Sequence, residues 1–200
     1  MYDTDLNVTW LANANLAATD TFGVTGINSD GSMFWGTANN WISAMNRAHY
    51  LGYSDWRLPF TLQPDPTCDT QYPQYNISMG YSCKGSDLGQ LFNVEFAGMG
   101  ANSPYAALFK NIQTGFPKSF YWTGTDYPGD PSEDAEVFDF SSGWEGAGPK
   151  YYANNDIETF AWAVRTGDVS AVPEPATVGL LAAGLGVLGA ARRRRRLARA

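Results

Sequence analysis

The chain has 200 residues and a formal net charge of −7, but residues 1–171 hold 7 basic against 19 acidic residues and carry −12. Such an acidic body argues against nucleic-acid binding, because phosphates need a basic face. A content of 14% aromatic residues with 21 glycines argues against disorder and against a helical bundle, while one histidine and two cysteines leave few metal sites or catalytic triads.

The first predicted element is a strand. Leu6, Val8 and Trp10 alternate with polar residues, a pattern that is typical of a half-buried strand over residues 6–10. Glycines then break residues 13–32 into a loop.

A helix follows, with Thr37 as its expected N-cap and Gly52 as its expected C-terminal stop. Its apolar residues recur at helical spacing. They are Ala38, Trp41, Ile42, Met45 and Ala48.

The most distinctive stretch is residues 52–59, which we call the signature segment. Pro59 favours an extended backbone before it. Trp56 offers a large apolar contact, and Arg57 offers five hydrogen-bond donors. These features favour an architectural role, with direct ligand contact as the alternative. The residues of interest are Gly52, Tyr53, Trp56, Arg57, Leu58 and Pro59.

Cys68 and Cys83 are the only thiols. Zinc would need further ligands nearby, and His49 is 19 residues upstream of Cys68. The C-terminal tail at 172–200 indicates an oxidising compartment, and in such a compartment a disulfide is the expected state. A metal or redox site is the alternative.

A second helix is predicted to start at Ser86 or Asp87, with Asp87 and Gln90 in a capping-box relation. Its inner face consists of Leu88, Leu91, Phe92 and Phe96.

After that helix, apolar residues recur at every second position, which predicts strands at residues 121–123, 137–140 and 160–164. The order of strand, two helices and several strands predicts an α+β domain with a mainly antiparallel sheet. The first and last strands are expected to pair.

The chain ends in a tail of three parts, which divides it into a globular domain at 1–171 and a sorting tail at 172–200. Pro173, Glu174 and Pro175 precede sixteen uncharged residues at 176–191, and five arginines follow. A spanning helix needs about 20 apolar residues, so this helix would be a short one. The arginines favour a cytoplasmic end, with residues 1–171 outside. They are Arg192, Arg193, Arg194, Arg195 and Arg196.

This tail resembles the PEP-CTERM sorting signal. The resemblance implies a membrane-anchored precursor that an exosortase processes near the Pro-Glu-Pro. Exported proteins also need an N-terminal signal, and residues 1–5 have neither a basic nor an apolar region. We therefore expect the export signal to be missing from the sequence shown, with truncation as the preferred explanation and a misplaced start codon as the alternative.

The body resembles the Lcl C-terminal domain family from about residue 6 to residue 169. The signature segment carries most of this resemblance, together with the Trp35/Ala38 pair, Trp122 and Trp162. The family is distantly similar to C-type-lectin-like folds, which implies a C-type-lectin-like domain with two helices. Residues 60–66 depart from the family by delaying the second helix.

Two sequence features suggest calcium only weakly. Gln63-Pro64-Asp65 matches a sugar-binding tripeptide of galactose-type C-type lectins, but it precedes the second helix and is interpreted as coincidence. The second feature is an acidic loop at residues 126–136. Its carboxylates do not have the spacing of an EF-hand, and clustered acidic residues are commonly just solvated. We expect no cofactor, with a weak calcium site as the alternative. The acidic loop contains Asp126, Asp130, Glu133, Asp134 and Glu136.

The expected function is that of a non-enzymatic surface or extracellular-matrix protein. No nucleophile elbow, phosphate-binding loop or histidine-rich motif occurs, and no catalytic residue is predicted. Its expected partners are an exosortase, the membrane before processing, and exopolysaccharide or another glycan. A body of charge −12 favours neutral glycans. The alternative is a carbohydrate-active enzyme with paired carboxylates.

Overall fold

Two helical segments and three small sheets form the part of the chain that the computed structural model describes, residues 1–151 and 159–168. Met1–Asp168 forms one unit by its internal contacts. The combination of helices with mainly antiparallel sheets confirms the predicted α+β class.

The two ends of this unit meet in a three-stranded antiparallel sheet of order β1-β2-β9. Its strands are β1 (Tyr2–Asp3), β2 (Val8–Trp10) and β9 (Val164–Thr166). The predicted pairing of first and last strands is confirmed. The prediction of a half-buried strand was wrong, because Thr9 is also buried and its hydroxyl donates to the Gly167 carbonyl over 2.7 Å.

Helix α1 spans Trp35–Arg47 and buries most of the predicted apolar face. Thr37 is not the N-cap, since the helix begins two residues earlier and Phe34 occupies that position. The Trp35 indole nitrogen donates to the Thr123 carbonyl over 2.8 Å and holds the helix start there. Gly52 is not the helix stop either, because the chain already turns at the left-handed His49, φ 49°. Ala48 is exposed at the C-cap.

The second helix, α2, spans Asp87–Gln90 and continues as a π-helix over Leu91–Glu95. Its start and its buried face were predicted correctly. The capping box was wrong: Ser86 is the N-cap, with no side-chain cap bond, and the Asp87 carboxylate binds Arg57 and the Phe60 amide instead.

The largest sheet has four strands in the order β7-β6-β5-β8, antiparallel except for the parallel pair β5–β8. The predicted strand at 160–164 is divided, because residues 161–163 carry the chain from this sheet to β9. Strand β7 was not predicted, since its glycines hide the alternation. The strands are β5 (Phe120–Asp126), β6 (Asp134–Asp139), β7 (Trp144–Pro149) and β8 (Thr159–Phe160).

The remaining regular structure is short. A hairpin of β3 (Thr70–Tyr72) and β4 (Ile77–Met79) lies between the two cysteines. Single 3₁₀ turns form at Leu16–Ala18, Tyr50–Gly52, Pro73–Tyr75, Gly100–Asn102 and Pro104–Leu108.

An aromatic core fills the space between the helices and the four-stranded sheet. The Trp162 ring lies 5.1 Å from both Trp10 and Phe109, and 5.5 Å from Tyr121. Its indole nitrogen donates to the Leu11 carbonyl over 2.8 Å, so this buried polar group is satisfied.

The sorting residues Pro173, Glu174 and Pro175, the predicted membrane helix at 176–191 and the arginines at 192–196 lie outside the described residues. Within residues 1–151 and 159–168, no helix is long and apolar enough to cross a membrane.

Candidate functional site

A groove of about 660 Å³ lies on the face of the four-stranded sheet that points away from the aromatic core. Side chains alternate along β5: Phe120 and Trp122, which are 8% and 3% exposed, lie on the groove side, and the fully buried Tyr121 points to the opposite face. Val137 and Asp139 of β6 line the groove in the same way. We call this feature the aromatic groove.

The floor of the aromatic groove has no room for side chains at two glycines of β7. A Cβ atom at Gly148 would lie 2.7 Å from Val137 Cγ1, and one at Gly146 would lie 2.5 Å from Trp144 Cη2. The Trp144 ring therefore lies along its own strand over Gly146, and its edge faces Phe120 with 6.5 Å between ring centroids. Only glycine leaves room for this arrangement.

Two loops contribute exposed aromatic side chains to the walls. Phe34, which is 46% exposed, precedes α1, and Tyr81, which is 49% exposed, follows β4. The Trp122 indole nitrogen donates to the Met33 carbonyl over 2.8 Å, which fixes that ring between floor and wall. Trp122 is the residue of the Lcl-type resemblance that lines the groove.

Asp139 is the carboxylate among the lining residues, and none of these residues is a lysine or an arginine. It accepts hydrogen bonds from the Ser141 amide and hydroxyl, at 2.9 and 2.7 Å, and from the Ser142 hydroxyl at 2.7 Å. A carboxylate has about four acceptor positions, and these bonds use three of them.

The signature segment lies away from the groove and joins distant elements. Asn46 of α1 bonds both the Trp56 amide and the Trp56 carbonyl, each at 2.8 Å. Arg57 pairs with Asp87 at 2.6 Å, and its backbone pairs with Val164. These contacts tie α1, the start of α2 and β9 together.

The other signature residues take up similar architectural positions. Arg165 stacks on Tyr53, 4.0 Å from the ring centroid, and its hydrogen bonds lower the pKa of Asp55. Gly52 has φ 84°, and Leu58 and Pro59 are buried.

The disulfide between Cys68 and Cys83 is present, as predicted. Beside it, Gln63 and Asp65 of the lectin-like tripeptide face inward: Gln63 donates to Glu136 over 2.7 Å, and Asp65 is fully buried.

The acidic loop does not gather its carboxylates around one point. The Lys150 ammonium binds Asp126 and the Pro131 carbonyl, at 2.5 and 2.7 Å, and lies 4.3 Å from the Trp35 ring centroid. Asp130 accepts from Ser132 within its own turn.

Glu136 is not a loop acid but a buried residue of β6, on the core face of the sheet. Burial raises the pKa of Glu136 to about 8 and that of Glu145 on β7 also to about 8. Each has one oxygen held, by Gln63 and by Ser86 respectively, and one oxygen without a partner. Sequence reasoning missed this pair, because strand alternation becomes visible only when β7 is recognised.

Comparison with known proteins identifies the tail. Residues 171–196 match the PEP-CTERM protein-sorting motif. No curated protein and no solved structure shows a significant match to the chain. The motif indicates an exported protein with a membrane-anchored precursor that an exosortase processes.

Proposed function

We propose that this protein is a non-enzymatic, exported surface or matrix protein whose domain binds a neutral glycan in the aromatic groove. The observation that carries this proposal is a groove whose described lining holds several aromatic rings and a few polar groups, and no lysine or arginine. The resemblance to Lcl C-terminal-type domains and to C-type-lectin-like folds supports the same role.

The chemistry of the groove suits a sugar ring. The C–H face of a pyranose is apolar and packs on indole and phenyl rings, as other apolar groups do. Polar groups at the border, such as Asp139 and Ser142, are placed to orient ring hydroxyls. The volume of about 660 Å³ is in the range of small-ligand sites.

Charge favours an uncharged ligand. The body carries −12, and the described lining contains no lysine or arginine, so an anionic glycan would meet repulsion with no cation to offset it.

Binding is a better proposal than hydrolysis. A glycosidase uses two carboxyl groups about 5–10 Å apart on either side of the bond. The described lining has one, Asp139, whereas Glu136 and Glu145 lie on the opposite face of the sheet.

The tail gives this domain its location. In our proposal, the apolar segment at 176–191, for which the sequence predicts a short helix, anchors the precursor, the arginines at 192–196 stay in the cytoplasm, and processing occurs near Pro173. The last described strand ends at Thr166, seven residues before that proline.

The test is a glycan array and an exopolysaccharide pull-down with the whole chain in detergent, with and without a chelator. We expect the protein to bind neutral glycans with an affinity that the chelator does not change. The Trp144→Ala variant should bind them about tenfold more weakly. Tyr75→Ala is the control, since Tyr75 is 67% exposed and lies outside the groove. Absence of binding would refute the proposal, and new reducing ends in the bound glycan would establish the enzyme alternative.

A further inference from the structure

Four potential metal ligands meet beside the disulfide, on the opposite side of the sheet from the aromatic groove. Asp65, Cys68, Cys83 and Glu145 each place one ligand atom within 4.8 Å of the other three. All four side chains are buried, with exposures between 0% and 5%. In the oxidised protein the two sulfurs bind each other, so they are not available to a metal.

We propose that these four residues form a binding site for a thiophilic divalent cation of the zinc class when the disulfide is reduced. The two sulfurs then either bind each other or bind the cation, but not both. This inference does not depend on the proposed glycan binding.

The first support is the composition of the group. Two thiolates and two carboxylates provide the four ligands of a tetrahedral zinc site, with Zn–S near 2.3 Å and Zn–O roughly 2.0–2.2 Å. Such distances place neighbouring ligand atoms roughly 3.3–3.8 Å apart. The four ligand atoms all lie within 4.8 Å of one another, so the group is already close to the size of such a site, and reduction lets the two sulfurs separate.

The second support is an unsatisfied oxygen. Glu145 is fully buried, and its Oε2 has no hydrogen-bond partner, whereas its Oε1 accepts from Ser86 over 2.8 Å. An unpaired buried carboxylate oxygen is costly, and a cation would satisfy it.

The third support is the set of groups that orient the other carboxylate. Asp65 Oδ1 accepts from the Thr67 amide and hydroxyl, and Oδ2 accepts from the Gly85 amide over 2.6 Å. Hydrogen bonds of this kind fix metal ligands in place and tune their affinity.

The redox step is simple. A dithiol or phosphine reductant supplies two electrons, two protons convert the disulfide to two thiols, and both thiols release their protons when the cation binds. In the reverse step a small-molecule disulfide accepts the two electrons and leaves as two thiols, and the metal is released when the bond between Cys68 and Cys83 forms.

The test uses the whole chain under anaerobic conditions, reduced with a phosphine, with Co²⁺ and Zn²⁺ as probes. Because Cys68 and Cys83 are the only cysteines, a thiolate-to-cobalt charge-transfer band reports on them alone. We expect one equivalent of metal in the reduced protein and none in the oxidised protein.

Glu145→Gln should weaken binding at least tenfold, whereas the matched control Glu136→Gln, a neighbouring buried glutamate, should leave it unchanged. If reduction alone unfolds the chain, Zn²⁺ should restore the near-ultraviolet circular dichroism of its buried tryptophans. The proposal fails if the reduced protein shows no thiolate–cobalt band, if oxidised protein binds equally, or if Glu145→Gln binds as tightly as the native chain.

Discussion

Asp55 and Arg165 lie 110 positions apart and form a bidentate ion pair, with Nε 2.8 Å from Oδ1 and Nη2 3.0 Å from Oδ2. Asp55 belongs to the signature segment and Arg165 to the last strand. The same guanidinium stacks on Tyr53 and donates to the Asp168 carbonyl. This contact joins the segment after α1 to the end of the described domain.

Arg165→Lys should lower the free energy of unfolding by about 1–2 kcal/mol. A lysine keeps the charge but loses the two-pronged geometry and much of the stacking on Tyr53. Chemical denaturation measures the change. Lys118→Gln is the control, since it removes an exposed contact with Asp30 and should cost less than about 0.5 kcal/mol. Equal losses in both variants would contradict the assigned role of Arg165.

The stability of the domain should fall as pH rises from about 4.5 to about 8. Burial raises the pKa of Glu136 and of Glu145 to about 8, so in this range the folded state binds more protons than the unfolded state. Under that condition the free energy of unfolding decreases with rising pH, and the decrease ends once both states are ionised.

The double variant Glu136→Gln/Glu145→Gln should flatten this profile. At pH 8 its free energy of unfolding should exceed that of the native chain by at least about 2 kcal/mol. Thermal unfolding over a pH series measures it. The control is Glu133→Gln, on the exposed part of the acidic loop. A native profile that rises towards pH 8 would disprove the assignment.

Periodic apolar patterns predicted the helices and most strands. Ala38 to Met45 and Leu88 to Phe96 are dictated by burial at helical spacing, and both faces formed as expected. Helix ends were predicted less well, because tertiary contacts decide them: Trp35 starts α1 through its bond to Thr123, and Asp87 binds Arg57 rather than capping α2.

The aromatic groove was not predicted. Its floor needs β7, whose sequence is Trp-Glu-Gly-Ala-Gly-Pro. Glycine is neither apolar nor polar in an alternation pattern, so this segment does not look like a strand in the sequence. The disulfide could be predicted without any knowledge of the fold, because two lone cysteines in an oxidising compartment are expected to pair.

Glu136 was assigned to solvent, because the sequence of an acidic cluster does not show which of its side chains points inward.

Replacing both Cys68 and Cys83 by alanine should lower the free energy of unfolding by about 3 kcal/mol. The disulfide closes a loop of 15 residues that contains the β3–β4 hairpin, and most of its effect comes from restricting the unfolded chain. The urea midpoint of the variant, compared with that of the oxidised native chain, measures the loss. An unchanged midpoint would show that the loop is held by its other contacts, such as the bonds of Gln63 to Ser78.

Gly148→Ala should disturb both the sheet and the aromatic groove. Its Cβ would lie 2.7 Å from Val137 Cγ1 and 3.4 Å from Trp122 Cζ3, and the stiff valine cannot turn away easily. We expect a loss of about 1–3 kcal/mol in stability and weaker glycan binding, because the floor must bulge. Gly36→Ala is the matched control: a Cβ there meets no atom within 4 Å, and alanine is the better helix former in α1. It should leave binding unchanged and stabilise the fold slightly. A Gly148→Ala protein with native stability would show that the groove floor tolerates a side chain at this position of β7.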